Sequence, residues 1–258
     1  MVHGLAQKPN VWLVGDVEHV DFTEAVALVR ATANVGSGLP EVVLVAQSRP
    51  GVVGRQEWMR LRRNAPLAGF VSLVGSWCEG ETRTGQPAAG IERKLWYEFP
   101  LWWRRQLDVR SSGRCPEWVN SADGRSVART GSLAGQRVAI AADAWDTAAA
   151  ISDVVVDAGG KAIWTARGDV SVEDCTVGIW DGAQLSEREA AQLTMFCGEL
   201  KRQHAAVIAL LDFPRRDRHE AARATGAETV LGKPYANADL VEAIRLSRVA
   251  PPQATEAA

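Results

Sequence analysis

The chain has 258 residues, of which 47% are hydrophobic and 23% are charged, as is typical of a globular protein with two domains of ordinary size. Its formal net charge of −2 at pH 7 gives no overall electrostatic reason to bind nucleic acid or an acidic membrane surface. No apolar run is as long as a membrane span and no signal-peptide pattern is present, so we expect a cytoplasmic protein without membrane contact. The four cysteines are widely spaced and are expected to be free thiols.

The first half alternates short apolar runs with helical periods. Strands are predicted at Val11–Asp16, Glu41–Ala46, Phe70–Val74 and Lys94–Glu98. Helices are predicted at Thr23–Thr32, Arg55–Asn64 and Pro100–Leu107. The polar loop Ser76–Pro87 contains Cys78 and two glutamates, and we favour a binding or interdomain role for it over catalysis. No histidine has ligand or general-base spacing to this loop.

Residues 109–133 separate this half from the next. The stretch is rich in Ser, Gly and Arg and has no apolar period, which predicts a linker. It divides the chain into a first domain at 1–108 and a second at 134–250, and residues 251–258 are predicted to be a disordered tail.

The second half continues the alternation more regularly. Strands are predicted at Arg137–Ala142, Lys161–Thr165, Thr176–Asp181, Ala206–Leu211 and Glu228–Leu231. Helices are predicted at Trp145–Ala158, Ser186–Lys201, Arg215–Thr225 and Ala236–Arg248. The second of these helices begins with a capping box formed by Ser186 and Glu189. Apolar strands that alternate with helices predict a parallel sheet covered on both faces.

Three polar residues stand at the predicted carboxyl ends of second-half strands. Asp143 follows the first strand, Asp181 ends the third and Lys233 follows the fifth. An open parallel sheet places its functional groups at this edge. Two carboxylates can hold Mg²⁺, one of them can act as a nucleophile, and an ammonium group can offset phosphoryl charge. The spacing therefore predicts a cation and phosphate site.

The second half resembles the receiver domain of bacterial response regulators. The resemblance is carried by the segments VAIAADAW, TVGIWDGAQ, AVIALLDF and GAETVLGKPYANADLVEAI. It implies a flavodoxin-like, doubly wound α/β fold with Asp181 as the phosphoacceptor, Asp143 as a direct Mg²⁺ ligand and Lys233 as the phosphate-contacting lysine. It also implies a cis peptide bond before Pro234.

The sequence departs from the receiver pattern at three points. Ala142 stands where the family has its first acid, and Leu211 stands where it has a switch Ser or Thr. The interval 166–175 is too short for a full second helix. A lost charge-assisted contact costs roughly 1.5–3 kcal/mol, so metal-dependent phosphorylation is weakened. The favoured interpretation is a pseudo-receiver in which Lys233 pairs with Asp181, and Mg²⁺ remains a candidate cofactor.

The first half is similar to a more diverged receiver. Asp16 is its lone acid, and Ala46, Val74 and Phe99 stand where a receiver has the phosphoacceptor, the switch residue and the lysine. The interval after the first helix is too short for the family's second strand and helix. We therefore expect tandem domains that arose by internal duplication, with no Mg²⁺ or phosphoryl site in the first domain.

The segment 95–107 combines aromatic residues with arginines. Its candidate interaction residues are Trp96, Trp102, Trp103, Arg104 and Arg105. An interdomain or dimer contact is the favoured role of this cluster. Stacking on single-stranded nucleic acid is the alternative, although nucleic acid is not the favoured partner.

Neither half contains a helix-turn-helix, a P-loop or a dinucleotide-binding glycine motif. The sequence predicts a regulatory protein of the two-component type that is not an enzyme and acts through contacts with other proteins. A kinase or a regulatory protein would be the partner, and a homodimer stays open. The alternatives are a phosphorylatable receiver that uses Asp181 with Mg²⁺ and a nucleic-acid adaptor that uses residues 95–107.

Overall fold

The computed structural model of the protein describes residues 8–36, 38–81, 91–119, 131–167 and 174–247. The chain divides into two units, Met1–Val127 and Ala128–Ala258. Among the described helices, none combines the length and the apolar character that a membrane-spanning segment needs. The predicted tail at 251–258 lies outside the described residues.

The first unit is built on a five-stranded sheet. Its strands are β1 (Asn10–Gly15), β2 (Asn34–Val35), β3 (Val42–Gln47), β4 (Gly69–Val74) and β5 (Glu92–Leu95). Its helices are α1 (Thr23–Thr32), α2 (Arg55–Asn64) and α3 (Phe99–Ser111). All strand pairs are parallel, and the strand order is β2-β1-β3-β4-β5. The predicted absence of a second strand is wrong, because the two residues of β2 pair with β1.

The second unit repeats this arrangement. Its strands are β6 (Arg137–Ala141), β7 (Lys161–Thr165), β8 (Val177–Asp181), β9 (Ala206–Asp212) and β10 (Thr229–Lys233). Its helices are α4 (Trp145–Asp157), α5 (Glu187–Arg202), α6 (Arg216–Ala224) and α7 (Asn237–Leu246). The order β10-β9-β8-β6-β7 is again wholly parallel.

Both sheets therefore have the flavodoxin-like strand order 2-1-3-4-5, counted from the first strand of each unit. This order confirms the predicted fold class of two doubly wound parallel sheets in tandem. The central strands are buried on both faces, as their apolar sequences require, and every residue of β3 is buried. The predicted capping box is present at α5, where Ser186 and Glu189 each accept a hydrogen bond from the other's backbone N–H.

The tryptophan-rich segment forms the core of the first unit. Trp96, Trp102 and Trp103 are buried in one cluster with Phe99 and Trp118. Trp103 stacks on Trp118, with ring centroids 5.2 Å apart. The prediction that these tryptophans form an interaction surface is therefore wrong, because their rings have already left water to stabilise this unit.

The first unit also extends beyond the predicted boundary at residue 108. Helix α3 continues to Ser111, and Trp118 lies in the core of the first unit. Leu133, at the other end of the predicted linker, is fully buried. Residues 120–130 of the predicted linker lie outside the described part of the chain.

Candidate functional site

The carboxyl ends of three neighbouring strands of the second unit meet at one lysine. The Nζ atom of Lys233 lies 3.1 Å from Oδ1 of Asp181 and 2.9 Å from Oδ1 of Asp212. It also donates a hydrogen bond of 2.6 Å to the carbonyl oxygen of Gly182. The Lys233–Pro234 peptide bond is cis, as the resemblance implies. Asp181 and Lys233 thus lie in contact, and their functional roles stay predictions.

The strand register shows that Asp212, not Leu211, faces this cluster. Asp181 pairs with Leu210, and Lys233 pairs with Asp212, so alternation puts these four residues on one face of the sheet. Leu211 lies on the opposite face and is buried in the core cluster that contains Trp180. The assignment of Leu211 to the switch position is therefore wrong by one residue. The last residue of β9 is an acid that already pairs with the lysine.

The environment of Lys233 favours its charged form. Burial lowers the pKa of Lys233, but its contacts with Asp212 and with Asp181 outweigh burial, so the pKa is raised above its ordinary value. The ammonium group is thus held as a cation between two carboxylates, which leaves one net negative charge on the trio.

Replacing Asp212 with asparagine is expected to lower the pKa of Lys233, because the hydrogen bond with Asp212 is the largest of the effects that raise it. A raised lysine pKa stabilises the folded state below the ordinary value of about 10.4, and this stabilisation is lost as the pH rises through the folded-state pKa. The wild type should therefore be more stable than Asp212→Asn at pH 7, and the difference should vanish in strongly alkaline solution.

NMR titration of the Lys233 side chain and urea unfolding at several pH values measure these two effects. Asp217→Asn is the matched control, since the Asp217 side chain is 72% exposed and lies in α6. An unchanged Lys233 pKa in Asp212→Asn would contradict the contact with Asp212.

Asp143 lies at the same sheet edge but is bound by an arginine. Arg167 Nη2 donates to Oδ2 of Asp143, and Arg167 Nη1 donates to Oε1 of Glu189 at 2.9 Å. The guanidinium also lies over the ring of Trp180, 5.3 Å from its centroid. Glu189 accepts a further hydrogen bond from the backbone N–H of Ala183, in the loop that follows β8. Arg167 thus connects segments that follow three different strands.

This ion-pair cluster favours charged carboxylates. The hydrogen bond from Arg167 lowers the pKa of Asp143 despite the opposing effect of burial. At Glu189, burial raises the pKa. Hydrogen bonds from the backbone of Ser186 and Ala183 and from Arg167 lower it by more, so the pKa lies below its ordinary value. The contacts of Arg167 with Asp143 and Glu189 raise the pKa of Arg167, although its partial burial acts in the opposite direction. All three groups therefore remain ionised near neutral pH.

The paired acids do not fit the Mg²⁺ site that the resemblance implies. Arg167 already pairs with Asp143, and Lys233 already pairs with Asp181. A metal ion would have to displace or face these side-chain cations at close range. Among the described residues, no group of three or more His, Cys, Asp or Glu side chains is arranged to hold a metal ion.

The arginines of segment 95–107 do not form a binding surface with its tryptophans. Arg105 pairs with Glu117 at 3.4 Å, and Arg104 is exposed. The buried rings of Trp102 and Trp103 offer no free face to a nucleic-acid base. The nucleic-acid alternative for this segment is therefore contradicted.

The first unit has more polar groups at its sheet edge than the sequence predicted. The hydroxyl of Ser48 donates a hydrogen bond of 2.5 Å to the carboxylate of Asp16. Asp21 accepts a hydrogen bond of 3.0 Å from the backbone N–H of Ser76. Ala46, Val74 and Phe99, in contrast, are buried apolar residues.

The described part of the polar loop that begins at Ser76 gives no sign of thiol chemistry. Burial and the charge of Glu81 raise the pKa of Cys78 to about 11, so its side chain is a neutral thiol at pH 7. Arg93 pairs with Glu81 at 2.6 Å and donates to the carbonyl of Cys78 at 3.3 Å. Residues 82–87 of the predicted loop lie outside the described residues.

Sequence reasoning missed three charged residues of the second unit. Asp212 follows Leu211 directly in the sequence, but the register that brings it to Lys233 is not determined by a single strand. Arg167 and Glu189 gave no sequence signal of their contact. Arg167 lies outside any helix or strand, and the capping box already accounted for Glu189.

No protein-family model and no curated protein matches the chain. Solved structures that are similar to it include the receiver domain of a Francisella response regulator, a response regulator from Thermotoga maritima and the Vibrio cholerae chemotaxis protein CheY4. Their sequence identities are 17%, 16% and 15%, and their TM-scores are 0.37, 0.38 and 0.39. Each match covers 43% of this chain, and 95%, 95% and 98% of the respective structures.

A putative pilus assembly-related protein from Burkholderia pseudomallei matches at 20% identity with a TM-score of 0.38. It too covers 43% of this chain, and 88% of its own chain is matched. At such identities the comparisons concern the fold and assign no activity, ligand or partner. The chain is similar to CheY-like receiver domains over about 43% of its length.

Proposed function

We propose that this protein is a non-enzymatic regulatory protein of the two-component type that acts through contacts with other proteins. Its second unit is a pseudo-receiver that internal ion pairs hold in one state. The observation that carries the proposal is the position of Lys233 between Asp181 and Asp212. The lysine that would contact a phosphoryl group is thereby shared between two carboxylates.

Electrostatics argue against stable phosphorylation of Asp181. A phosphoryl group would add about two negative charges to a trio that already carries one net negative charge. Asp212 lies beside the same ammonium group, 2.9 Å from Nζ, and would face the added charge. Arg167 offers no compensation without giving up Asp143 and Glu189. The modified state would therefore be disfavoured relative to a receiver with a neutral hydroxyl at the end of the fourth strand.

The same geometry removes the usual basis for switching. A ligand shifts a conformational equilibrium only by its differential affinity for the two states. A hydroxyl could move toward phosphoryl oxygens and bind them, whereas the Asp212 carboxylate accepts hydrogen bonds and would be repelled. We expect partner binding that does not depend on modification of Asp181.

NMR of the full chain with Mg²⁺ and beryllofluoride, a phosphoryl analogue, tests this proposal. We expect the wild type to behave like Asp181→Asn, without shift changes that spread through α6, β10 and α7. Asp212→Thr restores a hydroxyl and removes one negative charge, so this variant should bind the analogue more tightly than the wild type.

Large, Asp181-dependent shifts in the wild type that reach α6 and α7 would overturn the pseudo-receiver assignment. They would favour the alternative of a phosphorylatable receiver, for which the 3.1 Å contact between Lys233 and Asp181 is the supporting observation.

A further inference from the structure

An open cavity of about 650 Å³ lies at the carboxyl edge of the first unit's sheet. It is lined by Asp16, His19, Ser48, Arg49, Pro50 and Trp77. Its volume falls within the range of roughly 300–1,000 Å³ that is typical of small-molecule sites. The residues come from the loops that follow β1, β3 and β4, so three separate segments form one concave surface.

The cavity lies at the topological switch point of this sheet. Strands β1 and β3 are neighbours, and the chain leaves β1 toward β2 on one side and β3 toward β4 on the other. The loops after β1 and β3 therefore separate and leave a crevice between them. In open α/β sheets this crevice is where ligands bind.

Close backbone contacts hold the walls of the cavity in place. A Cβ atom at Gly15 would lie 2.3 Å from the carbonyl oxygen of Ala46, and one at Gly75 would lie 2.9 Å from that of Ser48. Only glycine allows the loops to approach this closely. The Ser48–Asp16 hydrogen bond and the contact of Asp21 with the backbone of Ser76 join the same loops.

The wall residues combine three kinds of chemistry. Trp77 is 80% exposed, so its indole is available for stacking. The turn that carries it is held by hydrogen bonds of the Ser76 N–H and the Cys78 carbonyl. The exposed Arg49 can donate paired hydrogen bonds to a phosphate or carboxylate. Asp16 uses one carboxylate oxygen for Ser48, and the other can accept a hydrogen bond from a ligand.

We propose that this cavity binds a small molecule of nucleoside monophosphate type. Its base would stack on Trp77, its phosphate would pair with Arg49, and a hydroxyl or amino group would donate to Asp16. A planar ring, an anionic group and a hydrogen-bond donor in one molecule match the three functions of the wall. All of the lining residues belong to the first unit.

Titration of the full chain with AMP, GMP, CMP and UMP, followed by calorimetry and NMR, tests this proposal. At least one monophosphate should bind the wild type, with shift changes at residues after β1, β3 and β4. The parent nucleoside and inorganic phosphate should each bind at least tenfold more weakly, because the nucleoside lacks the phosphate and inorganic phosphate lacks the ring and the sugar or base donor. Trp77→Ala and Arg49→Ala should each weaken binding at least tenfold.

Trp145→Ala and Arg63→Ala are the matched controls, since they remove an exposed tryptophan and an exposed arginine outside the cavity. Both should bind the nucleotide as the wild type does. The proposal is overturned if none of the four monophosphates binds, if the controls lose as much affinity as the cavity variants, or if the shifts map to the second unit.

Discussion

Replacing Trp103 with alanine is expected to destabilise the first unit by about 3–5 kcal/mol. The side chain is fully buried, and its ring stacks on Phe99 and Trp118 at centroid distances of 5.7 Å and 5.2 Å. Its indole N–H donates a hydrogen bond of 2.9 Å to the hydroxyl of Thr32, which joins α3 to the end of α1. The substitution would leave a cavity between the helices and the sheet, and the Thr32 hydroxyl would keep only its bond of 2.7 Å to the carbonyl oxygen of Leu28.

Urea unfolding of the full chain, combined with hydrogen exchange to locate the change, measures this effect. The protection of backbone amides from hydrogen exchange should fall in β1, β3 and β4, while the second unit keeps its stability. Trp77→Ala is the matched control, because its 80% exposed indole should contribute less than about 0.5 kcal/mol. Equal, small effects of the two substitutions would contradict a core role for Trp103.

Replacing Arg167 with alanine is expected to destabilise the second unit by about 1.5–3 kcal/mol at neutral pH, the usual value of charge-assisted hydrogen bonds. The change would leave the carboxylates of Asp143 and Glu189 without their shared cation and would expose the ring of Trp180. Leaving Glu189 without this cation costs more free energy than leaving Asp143 without it, because the Glu189 side chain is only 14% exposed whereas that of Asp143 is 62% exposed.

The pH dependence distinguishes lost ion pairs from lost packing. Asp143 and Glu189 have lowered pKa values in the folded state, so they stabilise it above the ordinary carboxyl range of about 4, and this stabilisation is lost as the pH falls. The difference in unfolding free energy between wild type and Arg167→Ala should therefore be largest near pH 7 and shrink below about pH 4.

Arg223→Ala serves as the control for Arg167, since it removes an exposed arginine from α6 of the same unit. We expect it to change the unfolding free energy by less than about 0.5 kcal/mol. A difference between wild type and Arg167→Ala that stays constant down to pH 3 would show that packing on Trp180, not charge, accounts for the effect.

Helix and strand positions depended mainly on local sequence. The apolar period and the capping pair of Ser186 and Glu189 placed α5 within one residue of its observed start and end. Helices Thr23–Thr32 and Arg55–Asn64 have the predicted bounds. The predicted alternation also put Asp181 and Lys233 at one sheet edge, because parallel strands share the direction in which they end.

Burial and pairing, in contrast, depended on contacts between residues far apart in sequence. An aromatic run has the same pattern whether it covers a core or an interface, so only the packed helix α3 could assign Trp103 to the core. The position of Asp212 beside Lys233 followed from the strand register, which a single strand does not determine.

The Arg167 contacts and the cavity at the sheet edges also depended on the tertiary structure. Arg167 reaches Asp143 across 24 residues and Glu189 across 22, and no local pattern marks such a contact. The cavity beside Asp16 exists because three loops approach through glycines, while the sequence offered only isolated polar residues. The sequence therefore determined the fold and the direction of each strand end. Only the tertiary structure decided which charges were paired and which groups faced an open cavity, because pair distances depend on how separate segments pack.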